Sequence, residues 1–151
     1  MRTTIRLAVA AASALLVVVS GLGQPALAGP AQRYAKTAIH KTNVERTDRN
    51  LTRLRGGECL QRFARRQARR MARQERMFHQ DLGPIMRRCG LRRAGENVAA
   101  GYPGGKAVVR GWMRSDGHRA NILEPRFRVI GLAARKGDNG VWYAAQVFGR
   151  H

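Results

Sequence analysis

Residues 112–123 read WMRSDGHRANIL, from Trp112 to Leu123, and the rest of the chain is placed around them. Trp112 belongs to a short helix expected over Lys106–Arg114, in which Val108, Val109 and Trp112 share one face. The turn Pro103-Gly104-Gly105 leads into it. Beyond Trp112 the chain becomes polar, and Ser115 to Pro125 reads as a loop rich in hydrogen-bonding side chains. Two strand-like runs follow, Arg128–Arg135 and Val141–Phe148, joined by Lys136-Gly137-Asp138-Asn139-Gly140, a natural hairpin connection. In the second run Trp142, Ala144, Gln146 and Phe148 alternate with Val141, Tyr143, Ala145 and Val147. That alternation predicts a strand with two distinct faces.

Upstream, the clearest element is a helix expected from Glu58 to Met77. Leu60, Phe63, Ala64, Gln67, Ala68, Met71 and Ala72 fall on one face, and Arg62, Arg65, Arg66, Arg69, Arg70, Arg73 and Arg76 fill the other. No aromatic residues interleave with these arginines and the apolar face is alanine-rich, which favours a solvated outer face over a nucleic-acid or membrane helix. An earlier helix is expected from Asn43, with Val44, Thr47, Leu51 and Leu54 in phase, broken at Gly56-Gly57. The glycosylation sequon Asn50-Leu51-Thr52 lies in this pattern and carries no weight. Phe78 to Gly95 reads as turn-rich, with Gly83-Pro84 and Cys89-Gly90 as breaks. Helices first and antiparallel strands last predict an α+β fold, not an alternating βαβ one.

Residues 1–28 read as a cleavable export signal. Arg2 and Arg6 give a positive start, Leu7 to Gly23 carry no charge, and Ala26-Leu27-Ala28 is a small-x-small cleavage site. No later stretch is apolar enough to span a membrane, so no transmembrane anchor is expected after cleavage. Residues 29–42 are expected to be a short arm and 43–151 a single domain. In an exported chain the two cysteines, Cys59 and Cys89, are most simply one disulfide.

The chain carries 29 Lys and Arg against 9 Asp and Glu, a net charge of +20. Lys36, Lys41, Lys106 and Lys136 are its only lysines. Such a surface favours anionic partners, cell-wall polymers or lipid head groups, and names no specific nucleic acid. An arginine-biased composition with no partner behind it accounts for the same charge equally well.

Three titratable residues sit in the non-repetitive segments: His79, Glu96 and His118. Two imidazoles and a carboxylate can hold a divalent metal, of which Zn²⁺ is the most compatible. They can equally serve as a general acid/base group or as a hydrogen-bonded structural network. Their spacing matches no local metal motif.

An ordered series of elements gives this set a context: Asn43-x-x-Arg46, His79, Gly95-Glu96-Asn97-Val98-Ala99, Trp112 to Leu123, Ile130-Gly131 and Gln146-Val147-Phe148-Gly149. Taken in order, it resembles the bacterial branch of the CAP superfamily (cysteine-rich secretory proteins, antigen 5 and pathogenesis-related proteins), also called SCP domains. The resemblance covers about residues 43–149. It implies a three-layer α-β-α sandwich with a central antiparallel sheet, and a cleft where two histidines and two glutamates meet. His79, Glu96 and His118 match three of these. The second glutamate usually follows the tryptophan, where this chain has Met113-Arg114-Ser115-Asp116; Asp116 replaces it only if its loop folds inward. Trp112 reads as core, and Asn97 and Asn121 as turn and capping residues.

These readings favour a secreted binding or interaction domain over an enzyme, its cleft taking a metal, a lipid-like molecule or a wall fragment. The alternative is a secreted metal-dependent hydrolase in which His79 and His118 hold the metal and Glu96 shuttles protons. No serine, cysteine or threonine stands out as a nucleophile, which disfavours covalent catalysis.

Overall fold

The computed structural model describes residues 28–151, so the expected export signal lies outside the described residues except for Ala28. The first element is helix α1, Pro30–Thr47. Residues 30–42, expected as an arm, therefore form most of a helix. Gln32 accepts a hydrogen bond from the Gly29 N–H (2.8 Å) and Pro30 starts the helix where no N–H partner is needed. The buried face runs Tyr34, Ala38, Thr42, Arg46 at steps of four. Before Asn43 the apolar part of that stripe is only Tyr34 and Ala38, too short to register as a period. α1 also stops before Leu51 and Leu54; the chain turns at Asn50 (φ 58°) instead.

After a two-residue strand β1 (Arg55–Gly56) comes α2 (Glu58–Arg73), which buries Leu60, Ala64, Gln67, Ala68, Met71 and Ala72 and exposes its arginines. Two segments expected to be irregular are ordered elements. Helix α3 (Leu82–Cys89) opens on the Asp81 carboxylate, which accepts from the Gly83 N–H (2.8 Å). Pro84 is tolerated there because first-turn N–H groups have no helical partner. Strand β2 (Arg93–Ala100) contains the Gly95-Glu96-Asn97 segment. Helix α4 (Gly105–Met113) matches expectation within a residue, whereas the expected 115–125 loop contains helix α5 (Asp116–Leu123). The hairpin strands are β3 (Val129–Lys136) and β4 (Trp142–Arg150).

The sheet order is β1-β3-β4-β2. It is mixed, because β1 runs parallel to β3 over Arg55↔Val129 and Gly56↔Ile130; the other two pairings are antiparallel, as expected. One face, bearing Ile130, Leu132, Ala134, Ala144 and Phe148, packs on α1, α4 and α5. The other, bearing Val98, Ala133, Tyr143, Ala145 and Val147, packs on α2 and α3. The result is an α-β-α sandwich with two apolar layers. Gly131 permits the tightest approach of helix to sheet: a Cβ there would lie 2.3 Å from the Leu60 carbonyl carbon and 2.4 Å from the Gln61 nitrogen. The Cys59–Cys89 disulfide joins α2 to the end of α3. Closing a loop of this length is worth about 3–4 kcal/mol in the chain-entropy model.

Among the described residues no helix is long and apolar enough to cross a membrane.

Candidate functional site

Strand β2 is one edge of the sheet, and the three candidate residues gather around it from both helical layers. Glu96 points toward the α2/α3 side, since its register partner is Val147. Its neighbour Asn97, opposite Gln146, faces the α1/α4/α5 side. This is the ordinary two-residue alternation of a strand, and it puts consecutive polar residues to work in different layers.

The Glu96 side chain is 2% exposed, so its carboxylate needs partners. The segment between α2 and α3 supplies them. The Gln80 N–H donates to Oε2 (3.1 Å), Gln80 Nε2 donates to Oε1 (2.6 Å), and His79 Nδ1 lies 2.8 Å from Oε2. His79 itself is 59% exposed. Its ring is held at one nitrogen by a buried carboxylate and offers the other, Nε2, outward. The backbone before it is fixed too: Gln67 Nε2 donates to the Phe78 carbonyl, and Arg70 and Arg76 each lie 5.2 Å from the Phe78 ring centre.

His118 arrives from the opposite layer, in the first turn of α5. Its Nδ1 shares a hydrogen bond with Ser115 Oγ (2.9 Å), so its Nε2 is also left over. Burial, and then the charge of His79, lower its pKa below the ordinary imidazole value of 6.5. His118 is thus neutral at pH 7, with a lone pair to offer.

Asparagines lock α5 onto the strand. Asn97 Nδ2 donates to the His118 carbonyl (3.1 Å) and to Gln146 Oε1 (3.0 Å). Asn121 Nδ2 donates to the Glu96 carbonyl (3.0 Å) and to Asn97 Oδ1 (2.9 Å). Gly95 leaves room for this, since a Cβ there would be 2.9 Å from Asn121 Oδ1. Gln146 Nε2 carries the chain of bonds on to Thr42 Oγ1 in α1 (2.8 Å). The fully buried Arg46 donates to the carbonyls of Thr52, Ile122 and Glu124 at 2.8–2.9 Å, tying the end of α5 to α1. Trp112 is core, as expected, and its indole N–H donates to the Val98 carbonyl (3.2 Å).

The structure brings His79 and Glu96 into direct contact and sets His118 within electrostatic reach of His79. Asp116 does not complete the set. Its side chain is 92% exposed and pairs with Arg119 (2.7 Å), so the loop does not fold inward. Gln80 and Ser115, the direct partners of Glu96 and His118, carry no signal in the sequence beyond adjacency.

Among the described residues no group of three or more His, Cys, Asp and Glu is arranged to hold a metal. Both Glu96 oxygens are, moreover, committed to His79 and Gln80. The expected three-residue donor set therefore does not fit a zinc site with three protein ligands. Two imidazole Nε2 atoms remain.

The α-β-α sandwich is that of a CAP-type domain, and the sequence model of the cysteine-rich secretory protein family matches residues 39–148. The chain belongs to that family. It is 36% identical over 106 residues to an uncharacterised Bacillus subtilis protein, YkwD, a match covering 66% of this chain and 41% of that one. The chain thus spans about two fifths of the length of that curated relative. Among solved structures, an extracellular SCP-domain protein of Bacillus anthracis superposes with a TM-score of 0.70 at 26% identity, covering 80% of this chain and 41% of that one. A protein crystallised with Zn²⁺, NaASP2, shares the fold at TM-score 0.59 and 12% identity over 84% of both chains.

Proposed function

We propose that this chain is an exported binding domain whose His79/His118 pair takes a divalent cation, Zn²⁺ by preference, with Glu96 as the positioning carboxylate. The observation that carries the reading is the 2.8 Å contact between His79 Nδ1 and a buried Glu96 oxygen. A carboxylate behind an imidazole fixes the ring and raises its basicity as a ligand. His118 adds a second, neutral imidazole. Bound there, zinc would supply a Lewis-acidic centre with open positions for an oxygen or nitrogen atom of a further ligand. NaASP2 was crystallised with Zn²⁺, which is consistent with this choice of ion.

The test is titration of the purified protein with Zn²⁺ by calorimetry. One site is expected, lost in the His79→Ala/His118→Ala double variant and weakened roughly 10–100-fold in Glu96→Gln. Equal zinc uptake by the double variant sinks the reading.

The hydrolase alternative is less well supported. It asks Glu96 to exchange protons with substrate, yet both oxygens already accept hydrogen bonds. Turnover of a substrate in a peptide, ester and glycan panel would restore it.

Export rests on residues 1–28 and on the extracellular Bacillus anthracis relative. N-terminal sequencing of protein recovered from the medium is expected to start at Gly29. The arginine face of α2 is the proposed contact for anionic wall polymers or lipids. Arg62, Arg65, Arg66, Arg69, Arg70 and Arg73 line one shallow depression there. Binding that vanishes at about 0.5 M salt would be simple electrostatics.

A further inference from the structure

The other edge of the sheet carries a second site. β1 covers β3 only at Val129 and Ile130. At Leu132 the Gln61 side-chain amide takes over the role of a neighbouring strand: Leu132 N–H donates to Gln61 Oε1 (3.0 Å) and Gln61 Nε2 donates to the Leu132 carbonyl (2.9 Å). Backbone groups of a strand face alternate edges, so those of Ala134 point the same way as those of Leu132. Among the described residues no strand lies beyond them, because β1 ends at Gly56. What lies there is a groove of about 620 Å³ between α1 and α2, with β3 as its floor.

We propose that this groove binds an extended acidic peptide, which adds to the sheet as a strand alongside β3 at Ala134. Three features favour that occupant. The floor offers main-chain hydrogen-bonding groups, which a peptide backbone satisfies and an alkyl chain would bury unpaired. The walls are small where side chains of an added strand would alternate, with Ala31 and Ala35 on α1 and Ala68 on α2. The rim is basic: Lys36, Arg65, Arg69 and Arg135 are exposed along it, and none of the described residues lining it is acidic. The charge steers an acidic segment, and the strand edge gives it a register.

The experiment uses the purified protein and a fluorescein-labelled heptapeptide of alternating Glu and Val, followed by anisotropy in about 0.15 M salt. Binding is expected. The same peptide N-methylated on alternate amides keeps its charge and loses the hydrogen bonds on one edge, and should bind at least roughly tenfold more weakly. Arg65→Glu/Arg69→Glu should weaken the parent peptide by a similar factor. Ala134→Pro removes the edge N–H at a position where an edge strand tolerates proline, and should do the same with unchanged circular dichroism. Should that variant misfold, the N-methylated peptide on the unaltered protein still decides. Equal affinity for the two peptides would show charge alone and overturn the proposal. So would failure of the parent peptide to bind while oleate occupies the groove.

Discussion

The two edges of the sheet are finished differently. At β2 the outward carbonyls of Glu96 and Val98 are each taken by a side chain from the α1/α4/α5 layer, Asn121 for the first and the Trp112 indole for the second. At β3 one glutamine amide from α2 serves Leu132, and the strand beyond it faces a groove. Exposed edges invite pairing with other chains and proteins usually blunt them. Here the asparagine that caps the closed edge also fixes α5, and with it His118. The open edge is lined with positive charge.

The contrast predicts an order of costs. Trp112→Ala removes a buried ring and strands the Val98 carbonyl; a loss of about 3–5 kcal/mol in urea unfolding is expected. A loss below about 2 kcal/mol would mean that the β2 edge is not closed by the tryptophan. Asn121→Ala leaves two acceptors in a half-buried network and should cost about 1–3 kcal/mol. It should also shift the imidazole resonances of His118, which a purely local defect would not do. Gln61→Ala should cost only about 1 kcal/mol, because water in the groove can replace the amide at Leu132. If Gln61→Ala proves as damaging as Asn121→Ala, the two edges are not different in kind.

The smallest effect is electrostatic. His118 has a native pKa below its unfolded value of about 6.5, so the unfolded chain binds more protons between the two. This contribution to stability is present above about pH 6.5 and is lost as pH falls through the lowered native value. A proton NMR titration should place the His118 midpoint below 6.5. In His79→Gln that midpoint should rise, without reaching 6.5, since burial is the larger cause and the His79 charge the smaller.

The sequence made apolar elements legible and hid polar ones. The amphipathic α2 and the β3–β4 hairpin are readable because their buried positions are apolar and periodic. The first turns of α1 are not, because they bury only Tyr34 and Ala38, too short an apolar stripe to show a period. α5 buries only Ile122, so its pattern reads as loop. β2 reads as turn because Gly95, Glu96 and Asn97 look like surface residues; each is buried by a specific partner. The candidate site was found through its motif rather than its spacing. His79 and Glu96 do meet, but Asp116 does not supply the fourth member of the set, and the carboxylate's own partner, Gln80, is visible only in three dimensions.

The proposed cation site requires that Glu96 hold His79 through Nδ1, leaving its Nε2 free, as the Ser115 contact leaves that of His118. Nitrogen-15 NMR of the imidazoles at about pH 7.5, where an ordinary imidazole is neutral, tests it most directly. His79 is expected to carry its proton on Nδ1, and Zn²⁺ is expected to shift Nε2 of both His79 and His118. A His79 protonated on Nε2, or zinc that leaves either Nε2 unmoved, would contradict it.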